Sequence, residues 1–456
     1  MSGKYYLRTL QVLLLSIFIF ATVSDGTAQE KFRLSGYGNM HLMAHDGMPK
    51  FVGQKHLDDS FFQLREFSLF FDFALTDEII ASTELEAGDN GNRYTANYAY
   101  IDIQARDNLS FRAGKILVPF LSYNENKPNF RQNLMSQPFT AWNLVPVNGT
   151  AIDFRGFGWS DAGVVGNWNN LLGDWGIIDL KASVINGLGS DSNILDDNTV
   201  KIEAAMMMGE MPDGDTGEMP DGDTGDMPDG DTGDMGDMPM DGPVFPTVRP
   251  RDGLIQNEIN NELRDNNNDK ATVAKLTFKS IAHPLDLGVS WYRGAWDPDG
   301  KKDLQLVGAH LNWLAARWTL KGEYVVADVE QDGGINSVEA AGLMGPADIN
   351  TTTGDYSMQA WYVEGSCTPV VWERDRYLKL VLRLDDVDTN DKAVFTPFDR
   401  GRITAGAEWQ FALNTRLRYE WQRTKIEDFD KAPLPFRNAG GKEEIKMNMA
   451  SMIFSF

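Results

Sequence analysis

The sequence predicts an all-β chain, a transmembrane antiparallel β-barrel of about 16 strands with long external loops. Three observations predict it. Apolar and charged residues alternate with period two in segment after segment, the connectors alternate between short and long, and no apolar stretch after residue 28 is long enough to cross a bilayer as a helix. Only helices and closed barrels satisfy their backbone groups in lipid, so a membrane chain without such a helix must be a barrel.

The alternation is clearest in the second half. Leu378, Leu380, Leu382 and Leu384 interleave with Lys379, Val381, Arg383 and Asp385. Ile403, Ala405, Ala407, Trp409 and Phe411 interleave with Arg402, Thr404, Gly406, Glu408 and Gln410. Leu417, Tyr419 and Trp421 alternate with Arg416, Arg418, Glu420 and Gln422, and Trp318, Leu320, Tyr324 and Val326 with Arg317, Thr319, Lys321 and Glu323. One face suits lipid and the other water. Taken in order, the predicted strands cover 31–43, 58–75, 78–88, 94–105, 109–117, 151–168, 174–186, 270–281, 285–296, 303–313, 317–329, 355–366, 376–388, 399–411, 415–427 and 443–456.

A soluble β-sandwich also alternates, but the connectors argue against one. Thr76-Asp77, 106–108, 169–173, His283-Pro284, 314–316 and 412–414 are tight turns, whereas 118–150, 187–269 and 330–354 are long. With an even strand number every long loop falls on one side, the asymmetry of short periplasmic turns and long external loops. A break at Ser160-Asp161 would put 187–269 on the wrong side, so 151–168 is read as one strand. Phe456, Phe454, Met452 and Ala450 alternate back from a terminal aromatic, as barrel chains of this class end.

The N-terminus reads as an export signal over residues 1–28, with Lys4 and Arg8, an apolar run from Leu10 to Val23, and small residues at Gly26-Thr27-Ala28. The apolar run falls short of the ~20 residues a spanning helix needs. Residues 29–456 then form the barrel. The single Cys367 excludes a disulfide within the chain. A net charge of −24 argues against nucleic-acid binding.

Several segments resemble the phosphate-selective porin O and P family. They are Tyr362-Val363-Glu364-Gly365-Ser366, Tyr377 to Asp385, Arg402 to Gly406 and Thr415 to Glu420, with Asp161 to Gly166, Asn186-Gly187, Leu287 to Tyr292 and Ala113-Gly114-Lys115 to Pro119-Phe120. The resemblance covers most of the chain beyond the signal, except 187–269 and 330–354. It implies sixteen-stranded outer-membrane channels of Gram-negative bacteria, usually homotrimers, that pass small solutes or anions without a cofactor.

A barrel of this size encloses an aqueous bore, and selectivity depends on what narrows and lines it. The loop 118–150 is expected to fold inward, with Lys127 and Arg131 at the constriction. Lys275, Lys279, Arg317, Lys321, Lys379, Arg383, Arg402, Arg416 and Arg418 lie on charged faces and are expected to line the pore. Glu323, Asp385, Glu408 and Glu420 share those faces, so the lumen reads as mildly basic. A general channel with a slight anion preference is the leading reading, and a phosphate-selective channel the alternative.

Residues 211–234 hold three copies of an eight-residue Met-Pro-Asp-Gly-Asp-Thr-Gly-Glu/Asp unit, inside an acidic low-complexity segment, 209–242. Twelve acidic residues and no Lys or Arg lie between Glu210 and Asp241; without them the net charge is −12. Such composition builds no core and reads as an external acidic brush. Its Asp-Gly-Asp spacing offers oxygens to Ca²⁺ but lacks the distal Glu of an EF-hand loop. An adhesive or structural barrel working through this loop is the other alternative. His41, His45, His56, His283 and His310 show no metal-ligand spacing, and no nucleophile motif, phosphate loop or dinucleotide fingerprint is present.

Overall fold

The computed structural model describes residues 31–46, 61–88, 93–126, 131–141, 159–188, 269–296, 300–330, 355–373, 376–388, 391, 399–428, 430 and 443–456. The expected export signal and the acidic repeat lie outside them.

Sixteen antiparallel strands form one closed barrel, each paired with its neighbours in sequence. They are β1 (Phe32–Asp46), β2 (Phe61–Ala74), β3 (Ile79–Gly88), β4 (Arg93–Arg106), β5 (Leu109–Leu117), β6 (Ser160–Leu171), β7 (Gly176–Ile185) and β8 (Ala271–Ser280), then β9 (Leu285–Ala295), β10 (Asp303–Ala315), β11 (Trp318–Val329), β12 (Tyr356–Glu373), β13 (Arg376–Asp388), β14 (Arg400–Ala412), β15 (Thr415–Ile426) and β16 (Glu444–Ser455). The predicted barrel, strand number and side of each long loop agree with this topology. Most strand ends fall within three residues of the predicted ones, and two strands differ by more. β6 begins at Ser160, at the break that the sequence argument set aside, and runs on to Leu171; β12 extends to Glu373, with register irregularities after Cys367 and Val371.

Closure occurs between β1 and β16. Gly36 N–H donates to the Phe456 carbonyl and Phe456 N–H to the Gly36 carbonyl, each at 3.0 Å. The terminal rings lie flat over this seam: a Cβ on Gly36 would sit 2.7 Å from the Phe456 ring, and Gly38 lies directly beneath Phe454. Glycine is required at both places because the ring occupies the side-chain volume.

The outer face is apolar. Ile101, Ile103, Phe111, Val164, Val184, Val289, Val307, Leu380, Leu382, Leu384 and Ile403 all stand exposed there. A belt of this extent is incompatible with water and suits the ~25 Å apolar band of a barrel in a bilayer. Trp168, Trp175, Trp313, Trp318, Trp372 and Trp409 cluster towards the short-turn end, and Trp291, Tyr324 and Trp361 towards the long-loop end. These are the two aromatic girdles of a membrane barrel. Among the described side chains none of the outward Trp or Tyr residues belongs to β16 or to β1 through β5.

Candidate functional site

The chain after β5 turns into the bore. Val118, Phe120, Leu121, Leu134, Met135 and Phe139 are buried. They are covered by the inner face of a wall that runs from β8 round to β1. Asn124 closes the neck of the loop: its side-chain N–H groups reach the carbonyls of Val118 and Trp159 at 2.8 and 2.9 Å, and its Oδ1 accepts from Trp159 N–H at 2.7 Å.

The period-two pleat puts a row of charged residues on this inner wall, and the loop backbone matches it group for group. Carboxylates accept from loop N–H groups. Glu323 takes Ser122 and Tyr123 at 2.8 and 2.7 Å, and the Thr140 hydroxyl at 3.1 Å. Glu420 takes Met135 and Ser136 at 2.6 and 3.2 Å, and Asp385 takes Phe139 at 3.3 Å. Glu364 accepts from the Asn133 amide at 2.8 Å. Guanidiniums donate to loop carbonyls in return. Arg383 reaches Ser136 O at 2.9 Å and Gln137 O at 3.3 Å, Arg402 reaches Gln137 O at 2.5 Å, and Arg418 reaches Gln132 O.

The wall charges also pair with one another. Asp385 bridges Arg383 at 2.9 Å and Arg402 at 3.1 Å, and Glu408 holds Arg418 at 2.6 Å with Lys379 at 3.4 Å and Arg416 at 3.8 Å. The Arg383–Asp385 pair is almost wholly buried, at 1% and 0% side-chain exposure. A buried ion pair is stable only where further hydrogen bonds satisfy its remaining donors and acceptors. The loop supplies them here.

Two glycines make room for apolar anchors. A Cβ on Gly308 would lie 2.6 Å from a Leu121 methyl, and one on Gly406 2.5 Å from a Leu134 methyl. Leu121 takes a left-handed backbone, φ 56°, uncommon for leucine. Its N–H is held by Ser290 Oγ at 3.0 Å and its carbonyl by Lys275. At the far end Met135 packs with Met43, Met447 and Met449 beside the closing seam. Glu125 receives both Lys181 and Lys275. Burial pushes its carboxyl up, but the two ammonium groups outweigh burial and hold it at about 2.

The sequence-predicted residues therefore divide. Lys127 lies outside the described residues, and Arg131 is exposed on the loop. Lys275, Lys379, Arg383, Arg402 and Arg418 are on the inner wall but are engaged by the loop and by carboxylates. Arg416 stands half-buried beside Glu408, and Lys279 near the short-turn end pairs with Asp179 at 3.3 Å. Lys321 is half-buried and has no ion-pair partner among the described residues. Arg317 is a correction. It lies in the two-residue turn between β10 and β11, exposed, donating to Pro369 O at 3.2 Å, and lines no bore. Its place in the alternating pattern extends one residue beyond the strand. Glu125, Glu364, Gly308 and Gly406 were not singled out from sequence; the glycines' place on the charged face of their strands was the available signal.

No family model matches the chain, and no curated protein matches it. Among solved structures, OmpF of Salmonella typhi in complex with daunomycin has a TM-score of 0.50 at 9% identity, over 93% of this chain and 97% of that one. The outer-membrane channel DcaP of Acinetobacter baumannii gives 0.49 at 12% identity, over 93% and 97%. OmpT of Vibrio cholerae gives 0.44 at 10% identity, over 93% and 97%. At these identities the likeness is one of fold: the chain has the architecture of an outer-membrane porin barrel.

Proposed function

We propose that this chain is a porin of a Gram-negative outer membrane, a water-filled channel for passive diffusion of small hydrophilic solutes and ions. The observation that carries the reading is the loop latched along the inner wall. A sixteen-stranded barrel has a wide bore, and a loop fixed across much of its circumference narrows it without closing it by chance motion. The export signal over residues 1–28 and the acidic external loop 209–242 fit the same reading.

The preference among ions follows from which charges the loop leaves to the water. Four basic residues (Lys275, Arg383, Arg402 and Arg418) are buried and satisfied, so they cannot strip a permeating anion of its hydration. Lys321 remains at the lumen surface and Arg131 is exposed on the loop, Lys279 and Arg416 lie beside Asp179 and Glu408, and Lys127 falls in the same segment of sequence. This supports a mild anion preference over phosphate selectivity.

A homotrimer is part of the proposal. The sector from β16 through β5 has no described Trp or Tyr in either girdle, and its outer face carries Gly36, Gly38, Ala81, Ala99, Ala113 and Ala450. The register also sets Lys115 on this face, opposite Ala99. A face of small residues without girdle aromatics suits a protein neighbour better than lipid.

The test is the reversal potential of the refolded protein in a planar bilayer under a KCl gradient, with and without phosphate. Conductance with a weakly anion-selective potential and no phosphate block is expected. Block at low phosphate would replace the general channel with a phosphate-selective one. Lack of conductance would refute the channel.

A further inference from the structure

A recess of about 50 Å³ opens off the lumen between β4, β5, β6, β7 and the root of the loop. Its polar lining is Asp102, Ser110, Arg112, Asn167, Lys181 and Glu125. None of these belongs to the latch on β11 to β15. At roughly 10–15 Å³ per water of such volume, the recess takes three to five water-sized groups, the number of hydroxyls along one edge of a small ring.

The lining is charged yet balanced. Arg112 meets Asp102 through Nε at 3.1 Å and Nη2 at 2.8 Å, both on the same oxygen, Oδ2. Asp102 Oδ1 and Arg112 Nη1 therefore remain available. Lys181 is matched by Glu125. Each lining cation is thus held by a carboxylate, with Glu125 shared by Lys275 outside the recess, so an entering anion meets no unpaired cation. Beside them the Asn167 side-chain oxygen is buried without a donor, an arrangement proteins rarely tolerate unless a ligand or solvent supplies one.

An aromatic strip borders the recess. The Arg112 guanidinium lies 4.1 Å from the centre of the Tyr100 ring, and Tyr100 stacks on Tyr98 at 5.3 Å. Both tyrosines are half-buried on the inner wall of β4. Paired donors and acceptors in a plane, an open amide oxygen and adjacent ring faces fit a solute whose hydroxyls both donate and accept and whose C–H faces are apolar.

We propose that this recess binds a neutral sugar, one ring edge in the polar lining and its C–H surface along the tyrosine strip. The inference rests on the channel reading for its physiological sense, but not for its test. Glucose is titrated calorimetrically into the refolded full chain in detergent, and KCl conductance is recorded on the same preparation. Saturable glucose binding is expected, weakened about tenfold by Asn167→Leu, the effect of one lost hydrogen bond to a buried group. Tyr100→Leu, which leaves the polar lining intact, is expected to weaken binding as well. Heat-modifiable gel migration shows that each variant is folded. Absence of glucose binding, binding unchanged in both variants, or displacement of glucose by equimolar phosphate overturns the proposal. Conductance without glucose binding refutes the recess alone, whereas glucose binding without conductance refutes the channel alone.

Discussion

Replacing Asp385 by alanine removes the acceptor at the centre of the latch. Four donors lose their partner together: Arg383 Nε at 2.9 Å, Arg402 Nε at 3.3 Å and Nη2 at 3.1 Å, and the Phe139 N–H at 3.3 Å. Arg402 then has no ion-pair partner among the described residues, while Arg383 keeps only Glu364 at 3.7 Å. Both guanidiniums are buried. Breaking a buried pair from one side costs about 3–5 kcal/mol, because it strands a charge in a poorly solvated place. The loss exceeds the roughly 1.5–3 kcal/mol that burying Leu134 contributes, but Glu420, Glu364 and Arg418 still hold residues 132–136, so the 132–141 limb loosens around Phe139 rather than leaving the wall. The 118–126 limb stays seated, held independently by Glu323, Ser290 and Lys275. The expected result is a higher and noisier single-channel conductance with the barrel intact. Asp385→Asn keeps an acceptor without the charge and should fall between the two. Wild-type conductance and noise in Asp385→Ala would refute the idea that these ion pairs hold the loop.

Three further expectations follow from the same geometry. Glu125 has its pKa depressed to about 2 against about 4.3 in an unfolded chain, so its contribution is complete above pH 4.3 and is lost as pH falls through 2. Channel noise recorded across that window should rise towards acid, and the rise should be absent in Glu125→Gln. Deleting residues 209–242 removes the twelve carboxylates of the expected external brush. Conductance should persist, with anion permeability raised at low salt and unchanged at high salt, where the brush is screened; loss of conductance would contradict its peripheral role. Ala113→Trp on the β5 outer face should convert the proposed trimer, read as a detergent-resistant band, into folded monomer on a gel, whereas Leu380→Trp should not.

The barrel was legible because period two is a property of the pleat itself. Leu378 to Asp385 could be assigned to faces residue by residue, and β13 pairs with β14 in a register that keeps those faces. The start of β6 was less so, since a Gly- and Pro-bounded stretch before Trp159 carries as much alternation as the strand it precedes. The inward loop could be anticipated from its length and place, but not its partners. Met135 N–H and Glu420 are 285 residues apart, and no local pattern encodes such a match. For the same reason the basic rows were read on the correct face and given too simple a role. Parity says that Arg383 points inward; only the loop determines that it meets Ser136 rather than water. Arg317 shows the opposite failure, where the pattern continued past the end of the strand.

The most direct test of the central claim is a covalent lock between loop and wall. Leu134→Cys and Gly406→Cys, introduced with Cys367→Ser, place thiols where the Leu134 methyl now overlies Gly406. Oxidation of the folded protein should close this disulfide and leave single-channel conductance as it was before oxidation, since the loop already lies there. Failure of the disulfide to form in a folded barrel, or a fall in conductance when it forms, would mean that the loop does not rest on the inner wall and would contradict the account.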